Sequence, residues 1–295
     1  MTLNNLLLTH RANQHWQYSG MDSPDQCFDP AHFNNFPHTV EYHYNSRGFR
    51  DHEWPSDDLD QAIWCLGDSF TVGLGSPFLH TWPQVLQRVT NRRVINISLD
   101  GGSNDWLARR AQYIAQEIQP RTMAIMWTYI NRRENDLELM LNQTWNTYYD
   151  SIKDPAWPSC DSYQYWMHLP WAIKKEIYLI HRPLPGVFRL TKDLNMTPVP
   201  NNSFDEDRRL HFVQGDDIEN FKYNVESVQA FPGTTTINLA IPGFAAKDQQ
   251  NDCVKILQAQ GNFVPLFDKM DLARDGHHFD LITSEWIAQE ISALL

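Results

Sequence analysis

Ala62-Ile63-Trp64-Cys65-Leu66-Gly67-Asp68-Ser69-Phe70-Thr71-Val72-Gly73 decides the fold class. Residues 62–66 form a short apolar run with no alternating polar position, which is the pattern of a strand buried on both faces. Gly67 ends the run, and a glycine-bounded turn carrying Ser69 follows at once. A buried strand running into a turn is the opening of a βα unit, and the sequence on either side extends that reading.

Downstream, residues 82–89 have helical spacing and residues 94–97 read as a second strand. Asn104 can cap a helix running to residue 118, with Leu107, Ala111, Ile114, Ala115 and Ile118 on one face. Residues 123–127 are a third strand, and residues 218–231 a helix. The β-branched run 235–241 is a fourth strand. Residues 252–260 look helical up to Gly261, residues 263–267 are a short fifth strand, and residues 281–295 are a closing helix. Strands alternating with helices predict a parallel sheet covered on both faces.

Two stretches do not follow this rhythm. Residues 1–60 are rich in His, Asn, Pro and aromatics, have weak periodicity and read as an irregular arm. Residues 61–295 are the main domain, interrupted at about 135–215 by a stretch far longer than an ordinary αβ connection. This insertion carries Trp145, Tyr149, Trp157, Tyr163, Trp166 and Trp171. Such aromatics can form a platform for sugar rings, and they can equally serve to bury the insertion against the sheet.

The chain of 295 residues has 36 acidic and 24 basic side chains, a formal charge of −12. A surface this negative argues against nucleic acid or an anionic membrane as the main partner. No apolar run approaches the ~20 residues that span a bilayer, and the first residues lack the basic and apolar regions of a secretory signal. The cysteines Cys27, Cys65, Cys160 and Cys253 are scattered and form no CxxC pair, so free thiols are the simpler reading.

Four loops carry chemistry. In Gly67-Asp68-Ser69-Phe70-Thr71-Val72-Gly73, a sharp turn can lift Ser69 clear of the sheet and aim backbone N–H groups at a developing oxyanion. A serine needs a base to become a nucleophile, and the same serine can be no more than a helix N-cap. The turn is not a phosphate loop, because Leu74 follows Gly73 where such a loop needs Lys. It is not the GxSxG elbow either, since position 71 is Thr.

Near the C-terminus, Asp275-Gly276-His277-His278 sets a carboxylate three residues before an imidazole. The carboxylate can fold back, accept from Nδ1–H and leave Nε2 free as the base. Asp275, His277, His278 and Asp280 could instead hold a metal, although no HxxxH or HExxH pattern accompanies them. After the second strand, Asn96-Ile97-Ser98-Leu99-Asp100-Gly101-Gly102-Ser103-Asn104 offers Gly101 as a close-approach backbone donor. After the third strand, Trp127-Thr128-Tyr129-Ile130-Asn131-Arg132 offers the Asn131 amide. Three of these loops leave predicted parallel strands and the Asp275–His278 loop follows the predicted fifth, so all four share the carboxyl edge of the sheet, where open α/β sheets hold ligands.

These blocks resemble those of the SGNH, or GDSL-like, hydrolase superfamily. Gly67-Asp68-Ser69 with Gly73 resembles its first block, Gly101 its second-block glycine, Asn131 its third-block asparagine, and Asp275 with His278 its Asp-x-x-His. Upstream, Asn45-Ser46-Arg47-Gly48-Phe49-Arg50 is similar to a segment that precedes the serine in some members. The third block departs from the family's Gly-x-Asn-Asp, with Tyr129 for Gly and Arg132 for Asp. The resemblance runs from about Tyr44 to the C-terminus, the insertion excepted. It implies a flavodoxin-like three-layer α/β/α sandwich and ester hydrolysis without cofactor or metal.

The expected function is a serine esterase with Ser69, His278 and Asp275 as a triad and an oxyanion hole from Ser69, Gly101 and Asn131. Its substrate is a small-molecule or carbohydrate ester, such as a carbohydrate O-acetyl ester. The alternative is a catalytically silent binding or assembly module on the same fold.

Overall fold

A computed structural model describes residues 7–9, 11–16, 30–100, 102–130, 188–190, 196–198, 215–229, 231–267 and 271–295. The chain divides into two compact units: Arg11–Arg133 with Phe221–Leu295, and Met1–His10 with Glu134–Asn220.

The strands of the first unit are β1 (His15–Trp16), β2 (Tyr42–His43), β3 (Ile63–Gly67), β4 (Val94–Ser98), β5 (Thr122–Trp127) and, after the short pair β6 (Phe188–Leu190) and β7 (Met196–Pro198) of the second unit, β8 (Thr235–Ala240). The helices are α1 (Pro30–Asn35), α2 (Ser69–Val72), α3 (Trp82–Thr90), α4 (Asn104–Glu117), α5 (Gly215–Gln229), α6 (Lys247–Ala259) and α7 (Leu281–Ala293). Four strands form a parallel sheet in the order β4-β3-β5-β8. Every residue of β3, β4 and β5 is buried, so none shows the strict polar alternation of a half-exposed strand, and the polar Asn96 within β4 is hydrogen-bonded.

The strand order fixes the layers. The step from β3 to β4 runs one way across the sheet, and the steps from β4 to β5 and from β5 to β8 run the other way. Parallel crossovers are right-handed, so α3 lies on one face and α4 and α5 on the opposite one. Contacts between the helices agree with this placement. α3 packs on α7, while Gln112 and Asp105 of α4 bond to Ser227 and Asn224 of α5 at 2.7 and 2.6 Å. The result is a three-layer α/β/α sandwich with flavodoxin-like strand order. Trp64, Trp82, Trp106 and Trp127 are wholly buried in it, each contributing on the order of 2–3 kcal/mol of apolar burial. Among the described residues, no helix is long and apolar enough to cross a membrane.

Several boundaries differ from the sequence reading. The fifth strand expected at 263–267 is reduced to one parallel bridge, Asn238 to Phe263. Pro265 has no N–H to give a ladder, and the run stops there. Helix α6 begins at Lys247 instead of 252, because its first turn is wholly polar and shows no apolar period. Helix α4 is capped by Ser103, whose hydroxyl accepts from Trp106 N, and not by Asn104. Residues 40–44 alternate buried and exposed. Val40, Tyr42 and Tyr44 form a small core with Val72 and Leu74, directly behind the Ser69 turn. The insertion aromatics named above lie outside the described residues. The described cysteines, Cys65 and Cys253, are free and buried.

Candidate active site

Ser69 is the first residue of α2, and the N-cap is Asp68. Asp68 Oδ1 accepts from Phe70 N at 3.0 Å, and its Oδ2 accepts from Thr128 Oγ1 at 2.6 Å. The capping work falls to Asp68, and the Ser69 hydroxyl makes a different contact. Gly73 closes the turn with φ +74°, its N–H donating to Ser69 O. A Cβ there would lie 2.3 Å from Thr81 Cγ2, so both backbone sign and space demand glycine.

The opposing loop is a narrow hairpin. Asp280 N donates to Asp271 O, Ala273 N to His278 O and Gly276 N to Ala273 O, and Leu272 bridges Phe279 antiparallel. Asp271 also holds the start of α7, accepting from Ile282 N and Thr283 N at 2.9 Å each and from Thr283 Oγ1 at 2.6 Å. Burial raises the Asp271 carboxyl, but these donors outweigh it and leave it below the usual value.

Within this hairpin Asp275 and His278 meet. His278 Nδ1 is 2.5 Å from Asp275 Oδ2, and His278 Nε2 is 2.8 Å from Ser69 Oγ. Asp275 Oδ1 accepts from the amides of His277 and His278 at 3.0 Å each. Burial pushes the Asp275 carboxyl up. The hydrogen bond and charge of His278, with the two amides, outweigh burial and bring it below the ordinary carboxylate range. All three side chains are at least nine-tenths buried. Phe70 packs its ring 4.5 Å from that of His278, which limits ring rotation. His277 stands edge-on to His278, and Asp280 pairs with His80 Nδ1 at 3.0 Å. Of the four side chains weighed as a metal set, Asp275 and His278 thus bond to each other while Asp280 turns to His80.

Sequence reasoning passed over the residues that hold these two loops together. Arg50 is 1% exposed. Its Nη1 donates to Val72 O and Gly73 O at 3.1 and 2.5 Å, and its Nη2 donates to Glu41 O and Ser76 O at 2.9 and 2.8 Å. Its guanidinium lies 4.4 Å from the centre of the Tyr42 ring. Tyr42 Oη accepts from Gly75 N at 2.8 Å. Gly75 O in turn accepts from Arg274 N, and a Cβ on Gly75 would come within 3.0 Å of Asp275 Cγ. His32 Nε2 reaches Ala273 O at 2.8 Å, and Arg274 lies over the Phe33 ring. Residues 30–50 thus brace both the serine turn and the Asp275 hairpin. The only signal in the sequence is the Arg47-Gly48-Phe49-Arg50 segment, whose targets are main-chain carbonyls with no residue identity.

Arg50→Ala should lower unfolding stability by about 3 kcal/mol, since several buried carbonyls lose their donor at once. Arg50→Lys should recover little of it, because one ammonium cannot reproduce a planar fork. Denaturant unfolding of both variants measures this. A lysine variant as stable as the parent would show that charge alone matters.

The loop after β4 is drawn to the same edge, with Leu99 N donating to Gly67 O. Asn104 bonds both ways with the end of β5, its Oδ1 accepting from Thr128 N at 2.9 Å and its Nδ2 donating to Thr128 O at 3.1 Å. Thr128 thereby links Asp68 to Asn104 and ties the ends of β3 and β5 to the start of α4. Gly101 and Asn131 lie outside the described residues.

No protein-family model matches the chain, and no curated protein does. Among solved structures, TesA is similar at 14% identity over 79% of this chain and 97% of its own, with a TM-score of 0.40. A lipase/acylhydrolase from Enterococcus faecalis is similar at 12% identity, over 79% and 94%, with a TM-score of 0.39. A carbohydrate esterase family 2 enzyme with a carbohydrate binding domain, from Corynascus thermopiles (Myceliophthora fergusii), is similar at 11% identity, over 83% and 67%, with a TM-score of 0.40. These superpositions are loose, and the fold assignment rests on the chain's own strand order. In it, the turn bearing Ser69 leaves β3 beside β5, where the crossovers change direction, and the Asp-x-x-His hairpin faces that turn. This is a flavodoxin-like three-layer α/β/α fold with the serine turn and the Asp-x-x-His hairpin brought together at one edge of its sheet.

Proposed function

We propose that the protein is a serine hydrolase that cleaves an acyl ester through an acyl-enzyme. The observation that carries this reading is the hydrogen-bonded row from Ser69 Oγ to His278 Nε2 and from His278 Nδ1 to Asp275. A buried serine in front of an imidazole whose far nitrogen rests on an ionised carboxylate is a nucleophile with its base.

In the first step His278 Nε2 takes the Ser69 proton as Oγ attacks the ester carbonyl. Asp275 accepts from Nδ1–H, keeps the ring in the right tautomer and stabilises the imidazolium. His278 then gives the proton to the leaving alcohol. Water attacks the acyl-enzyme by the same route in reverse. The backbone N–H of Ser69, that of Gly101 and the amide of Asn131 are the proposed oxyanion donors. Asp68 and Thr128 hold the turn in place. The carbohydrate ester expected from the aromatic insertion remains a proposal on residues outside those described.

Fluorophosphonate labelling followed by peptide mass mapping tests the reading. The adduct should sit on Ser69, and His278→Ala should slow its formation by orders of magnitude. A protein that neither reacts with the probe nor releases p-nitrophenol from short-chain esters is a binding module instead.

A further inference from the structure

Away from the serine, the pairing of β1 with β2 assembles a second set of donor groups. His15 stands opposite His43 in the antiparallel ladder. Strand alternation turns Val40, Tyr42 and Tyr44 inward and leaves Glu41 and His43 exposed. His15 rises on the same outer face, its ring stacked on that of His43 with centres 3.8 Å apart and planes 13° apart. Nε2 of His43 is 3.3 Å from Glu41 Oε2. One ligand atom from each of the three residues lies within 4.8 Å of the others.

These separations are within reach of a shared metal ion. Donors bound tetrahedrally at about 2.0–2.1 Å stand about 3.3 Å from one another, which is the His43–Glu41 distance already present. The stacked rings hold their in-plane lone pairs side by side, so shared binding turns one of the two exposed rings toward the other. The side chains are exposed, so they can rotate to close the remaining gap without disturbing packed atoms.

We propose that His15, Glu41 and His43 form a surface site for a first-row divalent transition ion of the Zn²⁺ type, with water in the fourth position. Two imidazoles and one carboxylate suit zinc and its neighbours, whereas Ca²⁺ and Mg²⁺ require a shell of oxygens. The formal charge of −12 favours cation approach. The site is structural. It pins β1 to β2, and the inward residue of β2, Tyr42, holds Gly75 N behind the serine turn. No step of ester cleavage runs through it.

The test uses the full chain after chelator treatment and dialysis. ZnCl₂ titrated by calorimetry should bind one equivalent and raise the unfolding temperature. His15→Ala and His43→Ala should each weaken binding by at least about tenfold and remove the thermal shift. Both variants should keep full p-nitrophenyl ester turnover, because neither residue touches the serine site. Co²⁺ in place of Zn²⁺ should show the intense visible bands of tetrahedral coordination, lost in both variants. Undiminished Zn²⁺ affinity in the His15→Ala/His43→Ala double variant would place the ion on other histidines and overturn the proposal, as would no binding at all. Full affinity in Glu41→Gln would overturn the three-ligand site.

Discussion

Ser69→Ala should remove ester turnover, with kcat lower by about 10⁶-fold, and His278→Ala should do nearly the same. On the proposed mechanism the two act as one unit: the hydroxyl is inert without its base, and the base has nothing to activate without the hydroxyl. The double variant should therefore be barely slower than either single one. The geometry predicts that the fold survives. In Ser69→Ala the imidazole keeps its 2.5 Å bond to Asp275, the Asp68 cap is untouched, and the turn keeps its glycine closure at Gly73. Affinity for a non-hydrolysable ester analogue should change little. Steady-state kinetics on a short-chain p-nitrophenyl ester, with circular dichroism as a fold control, reads all of this. Losses that add in the double variant would mean that Ser69 and His278 act independently. A His277→Ala enzyme that is dead while His278→Ala is active would move the base to the neighbouring ring, against the 2.8 Å contact from His278 to Ser69.

Asp275→Asn should cut kcat by about 10⁴-fold while leaving the site's shape intact. The carboxylate uses both oxygens, one for His278 Nδ1 and one for the amides of His277 and His278. An asparagine must keep its carbonyl oxygen on the two amides, so its NH₂ faces Nδ1. That donor forces the proton onto Nε2, the atom that has to accept from Ser69. The imidazole stays in place in the wrong tautomer. KM should change little, because the lost interaction grows as the imidazolium forms. A pH-dependent loss of stability should accompany it. The Asp275 carboxyl is lowered in the folded state, so it contributes stability above the unfolded carboxylate value. That contribution disappears as pH falls through the lowered folded value. The parent should thus lose stability on acidification more steeply than Asp275→Asn. Equal slopes would show that Asp275 gains nothing from its partners on folding.

Much of the sheet is legible from sequence because burial on both faces favours short apolar and β-branched runs, and β3, β4, β5 and β8 all appear at or within a residue or two of their observed ends. The spacing of Asp275 and His278 is legible for a similar reason: a contact across three residues is local. Less of the support was readable. Residues 40–44 alternate in and out, but so short a strand among His, Asn and Pro gives a weak period. At 263–267 the apolar run predicts a strand, but Pro265 interrupts the ladder and a single bridge at Phe263 forms. Asn104 looked like a cap and instead spans to Thr128, because a capping position and a cross-loop bridge demand the same residue type.

Local sequence alone points to a parallel α/β sheet, a serine turn at the end of its first strand, and a carboxylate set one turn before a histidine. These depend on local periodicity, glycine and proline stereochemistry, and short spacings. Only the tertiary structure decided that His278 Nε2 stands 2.8 Å from Ser69 Oγ across more than two hundred residues of chain. It also decided that Arg50 and Tyr42 brace the two loops from behind, and that His15 meets Glu41 and His43 on the outer face of the same small ladder. The physical reason is the same in each case. These contacts end on main-chain carbonyls and amides, or on side chains brought together by strand pairing. Neither leaves a periodic trace in the order of residues.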